Sequence, residues 1–272
     1  MEETTDRPIG IFDSGIGGLT VLREINTRLP HENLIYFGDT ARVPYGTKSK
    51  DTVTQFSMEI VEFLLSLDVK MIVFACNSAS ALALPELRTR FTIPMVGVIK
   101  PGAEQAVRIT KSGRIGVIGT RATIGSGAYE REITHLSQNV RVFSRPCPVF
   151  VSLVEEGWID HPATRLIAEE YLKPLMENEI DTLVLGCTHY PVLRPLLQEI
   201  MGDGVNVIDS AWSCSVTVEK MLNNNLANES ESQGKIRYFV SDMTDRFEEL
   251  SSLFLGKPAR EVSLYKGLGL PK

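Results

Sequence analysis

Short apolar runs recur along the chain, separated by longer stretches whose apolar positions fall at helical spacing. Runs at 9–12, 34–37, 71–75, 95–98, 115–118, 140–143, 183–186 and 205–208 predict strands. Helical patterns over 52–67, 122–135, 165–177 and 192–201 lie between them. The runs are apolar throughout rather than alternating with polar residues, which predicts parallel sheets covered on both faces. The expected class is therefore α/β. Towards the C-terminus, NNNLANESESQG at 223–234 predicts a polar loop, followed by a strand at 236–240 and a helix.

The strand pattern repeats. IGIFDS at 9–14 resembles IGVIGT at 115–120, and IVFAC at 72–76 resembles LVLGC at 183–187. A single match would be explained by the general likeness of parallel strands. Two matches in the same order and at nearly the same offset predict two related α/β halves facing across a central cleft. A break at 99–101 marks the first boundary. The expected division is 1–98 plus 209–272 for one domain and 99–208 for the other. The C-terminal stretch alone is small for a stable core and is expected to return to the first half.

At 272 residues the chain has length for a sizeable core. Its net charge of −6 argues against a protein that binds nucleic acid by neutralising phosphates, and no basic patch stands out. No apolar run approaches the roughly 20 residues of a membrane span. The N-terminus MEETTDRPIG lacks the charged and apolar regions of a secretory signal. A cytoplasmic location is the expectation, and with it free thiols rather than disulfides. Cys76, Cys147, Cys187 and Cys214 include no C-x-x-C pair, so no metal site is expected.

In parallel sheets, ligands bind beyond the carboxyl ends of the strands. The residues there are Asp13-Ser14, Gly38-Asp39, Cys76-Asn77-Ser78, Gly119-Thr120 and Cys187-Thr188-His189. A lone cytosolic cysteine is most often a small buried hydrophobe, and Cys147 and Cys214 are read that way. Cys76 and Cys187 occupy matching strand ends, which favours function. Each precedes a helical pattern, whose N-terminus would favour the thiolate. Asp13 and His189 stand where they could exchange protons with the thiols. DSGIGG at 13–18 is an incomplete dinucleotide fingerprint, and its turn would equally hold a small carboxylate. The loop ARVPYGTKS at 41–49 reads as an ordinary connection or as a binding loop through Tyr45 and Gly46. Glu155 alone reads as a solvated helix residue.

FDSGIGGLTVL (12–22), YFGDTARVPYG (36–46), FACNSAS (74–80), IGTRATI (118–124), VEEG (154–157) and LGCTHYP (185–191) together resemble glutamate racemases of the cofactor-independent amino-acid racemase superfamily. The motifs occur in order and cover most of 9–210. One departure is CNSA where the family pattern has CNTA; Ser78 keeps the hydroxyl. The resemblance implies interconversion of L- and D-glutamate by proton transfer at Cα, with no cofactor and no metal. It implies Cys76 and Cys187 as the two bases, Asp13 assisting Cys76, and His189 with Glu155 supporting Cys187. It implies Ser14, Asn77, Ser78, Thr120, Thr123 and Thr188 around the α-carboxylate and ammonium, with Tyr45 and Gly46 on the side-chain carboxylate. It further implies a homodimer and a role in supplying D-glutamate to peptidoglycan. The repeat aligns Asp13 with Gly119, so the second half lacks a matching carboxylate and His189 is its substitute. Rival readings are a racemase of aspartate or a hydantoin, a non-catalytic or dinucleotide-binding protein, and a hydrolase built on Cys187–His189. The last is doubtful, because residues two apart at a strand end need not face each other.

Overall fold

Ten strands, all paired in parallel, form two sheets in the computed structural model, which describes residues 6–222, 227–228, 232–243 and 245–269. The strands are β1 (Ile9–Asp13), β2 (Leu34–Gly38), β3 (Met71–Phe74), β4 (Met95–Gly97), β5 (Arg114–Gly119), β6 (Arg141–Pro146), β7 (Thr182–Gly186), β8 (Asn206–Asp209), β9 (Ile236–Val240) and β10 (Val262–Leu264). One sheet has the order β10-β9-β2-β1-β3-β4 and the other β6-β5-β7-β8. The class is α/β, as the patterning predicts.

The repeat is visible in the register. The central order β2-β1-β3-β4 of the first sheet is matched by β6-β5-β7-β8 in the second. Phe12 lies opposite Phe74, and the repeat carries this pair onto Ile118 opposite Leu185. Cys76 and Cys187 therefore leave their sheets at equivalent points, two residues beyond those pairs. Asp13 falls on Gly119 by the same register.

Successive strand residues feed opposite faces, and both faces are buried. Phe12, Ile35, Phe37, Ile72 and Phe74 pack against the helix Lys50–Ser66 through Val53, Ile60, Val61 and Leu64. Ile9, Ile11, Tyr36 and Val73 join a larger core that runs on to Leu183, Leu185 and Val207 of the second sheet. The far face of the second sheet, through Ile115, Val117 and Val184, meets the helices Ile99–Ile109 and Ala128–Leu136. Two helices cross over. Ile99–Ile109 follows β4 yet packs on β7 and β8, while Ser210–Leu222 follows β8 yet packs on the helix Leu19–Arg28 and on β4. β9 pairs with β2, so the C-terminal stretch returns to the first sheet.

Four details differ from the sequence reading. The helix expected at 122–135 is two, Arg121–Gly125 and Ala128–Leu136, because Gly127 takes a positive φ of 65° between them. The helix expected at 192–201 begins with a 3₁₀ turn, Tyr190–Leu193. β6 ends three residues later than expected, on a half-exposed edge, and β10 was not anticipated because it is three largely exposed residues long. Most of the polar loop expected at 223–234 lies outside the described residues. Among the described residues, no helix is long and apolar enough to cross a membrane.

Candidate active site

The carboxyl ends of both sheets open onto one cavity of about 460 Å³. From the first half it is lined by Ser14, Tyr45, Gly46, Cys76, Asn77 and Ser78. Thr120, Glu155, Cys187, Thr188 and His189 line it from the second. Asp13 and Thr123 stand behind this wall, fully buried. The predicted residues are thus brought together, eleven at the surface of the cavity and two in support of it.

The two thiols sit in different surroundings. Cys76 caps the helix Asn77–Leu82, and its Sγ donates to Ser14 Oγ at 3.4 Å. Burial pushes its thiol up to about 12, and the nearby Asp13 carboxylate adds to the rise. The Ala79 N–H in the first turn of the helix and the Ser14 hydroxyl pull it down, but desolvation and the neighbouring carboxylate outweigh them, so the net shift is opposite to the sequence expectation. Cys187 opens no α-helix directly, since the turn 187–189 and the 3₁₀ segment intervene. Its partner is His189, whose Nδ1 lies 4.0 Å from Sγ, while Nε2 lies 2.9 Å from Glu155 Oε1. The tight turn brings the side chains of residues 187 and 189 together, which strand-end spacing alone did not require. Burial alone would lower the His189 pKa, but its bonds to Cys187 and Glu155 prevail and raise it to about 10. A protonated imidazole donates from both nitrogens, one towards sulfur and one towards carboxylate.

Asp13 accepts from the Gly15 N–H at 2.9 Å through Oδ2, and its Oδ1 has no hydrogen-bond partner among the described residues. Burial raises its pKa against the opposing charge of His189 and the N–H groups of Gly15, Gly18 and Ser14. Each half therefore places an acid–base group behind its cysteine: a carboxyl behind Cys76, an imidazole behind Cys187.

The glycines of DSGIGG serve close approach. A Cβ at Gly17 would lie 2.5 Å from His189 Nδ1 and Thr188 Oγ1, and one at Gly18 would lie 2.4 Å from Asp13 Cβ. The turn of the first half is thereby pressed against the cysteine loop of the second. On the other side, Gly46 meets Thr120, with a virtual Cβ contact of 2.7 Å. Ser78, Thr120 and Thr123 form a triangle of hydroxyls at 3.0, 3.2 and 3.1 Å.

The family model described as Asp/Glu/Hydantoin racemase matches residues 9–217. The chain belongs to this racemase family. Its members are isomerases, and the chain is an enzyme of that class. It is 52% identical to the glutamate racemase of Chlorobaculum tepidum, over 96% of this chain and 97% of that protein. Among solved structures, the glutamate racemase isoform RacE1 of Bacillus anthracis is 38% identical, covers 97% of this chain and 98% of its own, and superposes with a TM-score of 0.92. The Francisella tularensis glutamate racemase in complex with D-glutamate is also 38% identical, with coverages of 96% and 98% and a TM-score of 0.90.

Within this racemase scaffold, several contributors carry no signal in their local sequence. Tyr45 does not present its hydroxyl to the cavity, since it donates to the buried Asp39. Asp39 also pairs with Arg42 at 2.8 Å and accepts from Ser241 Oγ at 2.8 Å. Phe254, from the C-terminal helix Phe247–Leu255, sets its ring edgewise to His189 at 5.2 Å. Tyr129 donates to Asn77 Oδ1 at 2.8 Å. Ser241, Phe254 and Tyr129 lie 52 to 202 residues in sequence from the residues they touch, and only the fold joins them. Cys147 and Cys214 are fully buried, away from the cavity wall. Among the described residues, no cluster of three or more His, Cys, Asp or Glu is arranged to hold a metal ion.

Proposed function

We propose that the enzyme interconverts L- and D-glutamate by a two-base proton transfer between Cys76 and Cys187. The observation that carries this reading is the equivalent position of the two thiols, one at each sheet edge, on a single cavity. Inverting a carbon by 1,1-proton transfer requires a base on one face and an acid on the other. Two related half-domains supply that pair from opposite sides. In this reading Cys76 deprotonates D-glutamate, Cys187 deprotonates L-glutamate, and the cysteine not acting as base returns a proton.

Asp13 takes up and returns protons at Cys76, and the His189–Glu155 pair does so at Cys187. A thiol held up to about 12 is a strong base once ionised. The substrate ammonium, placed beside it, favours that ionisation by charge attraction. Ser14, Asn77, Ser78, Thr120 and Thr188 hold the α-carboxylate and ammonium, with Thr123 fixing two of those hydroxyls. The first turn of the 3₁₀ segment Tyr45–Thr47 leaves N–H groups without intrahelical acceptors. Those of Tyr45 and Gly46 hold the side-chain carboxylate, and the Tyr45 ring closes the wall. No cofactor and no metal takes part in this mechanism.

The same reading divides the chain into 1–98 plus 209–272 and 99–208, with the cavity between the two parts. It assigns the product to peptidoglycan synthesis in the cytoplasm, by a homodimer. Incubating the purified protein with L-glutamate, D-glutamate and aspartate, with no added cofactor, and following optical rotation tests the activity. Rotation should decay to zero from either enantiomer of glutamate and not from aspartate. Unchanged rotation with glutamate overturns the proposal.

A further inference from the structure

We propose that Tyr129 is a positioning residue, whose hydroxyl fixes the Asn77 amide so that Nδ2 faces the substrate. The proposal rests on the reading of Asn77 as a substrate donor given above. Asn77 lines the cavity beside Cys76 and is 2% exposed. An amide has one accepting and one donating end, and the wrong end would set an oxygen against a carboxylate. Here the accepting end is taken: Oδ1 receives the Tyr129 hydroxyl at 2.8 Å. Nδ2 is buried and has no hydrogen-bond partner among the described residues. An unpaired buried donor is costly unless a ligand takes it.

The direction of the Tyr129 bond is itself set. The amide oxygen has no hydrogen to give, so the phenol is the donor to Asn77. The ring lies in a slot cleared by two glycines. A Cβ at Gly186, the residue before Cys187, would meet Cε2 at 3.1 Å, and one at Gly102 would meet the hydroxyl at 3.3 Å. Tyr129 thus spans the two cysteine loops, with its ring on the neighbour of Cys187 and its hydroxyl on the neighbour of Cys76.

Steady-state kinetics with L- and D-glutamate on the wild type, Tyr129→Phe, Asn77→Ala and the double variant test this. Tyr129→Phe keeps the ring and frees the amide to flip. It should raise KM about tenfold in both directions, the loss of one bond to a charged group, with kcat far less affected. In the Asn77→Ala background it should add nothing, because it acts only through that amide. Multiplying effects in the double variant, or an unchanged KM in Tyr129→Phe, overturn the proposal. If Tyr129→Phe fails to fold, Asn77→Asp keeps an oxygen for the Tyr129 hydroxyl and sets a second oxygen where Nδ2 stands; a folded Asn77→Asp enzyme with unchanged KM overturns it equally. An active wild type with silent variants defeats this inference alone, whereas an inactive wild type defeats the functional reading beneath it.

Discussion

Asp13 and His189 stand behind corresponding cysteines with different chemistry, and under the proposed mechanism that difference is measurable. Asp13 is a buried carboxyl with a raised pKa, and His189 is an imidazole kept charged up to about pH 10 by Cys187 and Glu155. Enantiomers have equal free energy in water, so kcat/KM must be the same in both directions for every variant. Asymmetry can therefore appear only in kcat, with KM compensating. Asp13→Asn should lower kcat for D-to-L turnover by on the order of a hundredfold, and more than for L-to-D. His189→Asn should show the opposite bias. Progress curves from each pure enantiomer check this, and equal kcat losses in both directions for both variants would count against the assignment. That the reactive residues meet at one cavity was largely legible in the sequence, because they sit in contiguous motifs at strand ends. The sign of the Cys76 shift was not, since burial and the closeness of Asp13 are products of the fold.

Elements that bear no motif nonetheless shape the site. The end of β9 clasps the loop that follows β2: Ser241 Oγ accepts from the Ala41 N–H at 2.9 Å and donates to Asp39, and Thr40 Oγ1 accepts from the Asp242 N–H at 2.9 Å. Asp39 in turn holds the Tyr45 hydroxyl. Ser241→Ala takes a hydrogen-bond donor from the buried Asp39 carboxylate, at a cost of about 1–3 kcal/mol. It should lower the melting temperature and raise KM for glutamate severalfold, with kcat largely kept. Thermal melts and initial rates read both, and an unchanged KM would show that the clasp does not set the loop. Periodicity located the strands because apolar runs are strong signals. It merged the helices Arg121–Gly125 and Ala128–Leu136, because the apolar spacing continues across the break at Gly127. Residues 236–242 gave a strand and no function, because their partners at 34–41 lie far away in sequence.

At the scale of the molecule, one repeat explains the architecture. Two sheets with the same central order and register each carry a cysteine to the same edge. Helices exchanged between the halves lock them together, and the glycines at 17 and 46 let loops of the first half press on Thr188, His189 and Thr120 of the second. The repeat was readable from two short matches, but the helix exchange was not, because nothing in an amphipathic pattern names the sheet it covers. The central claim is that two different groups handle the proton on opposite faces of one carbon. Starting from protiated L-glutamate in D₂O, chiral separation and α-proton NMR at low conversion test it most directly. The D-glutamate formed should carry deuterium at Cα in essentially every molecule, while the remaining L-glutamate keeps its proton. D-glutamate that retains the original proton would mean that a single base serves both faces, and would contradict the account.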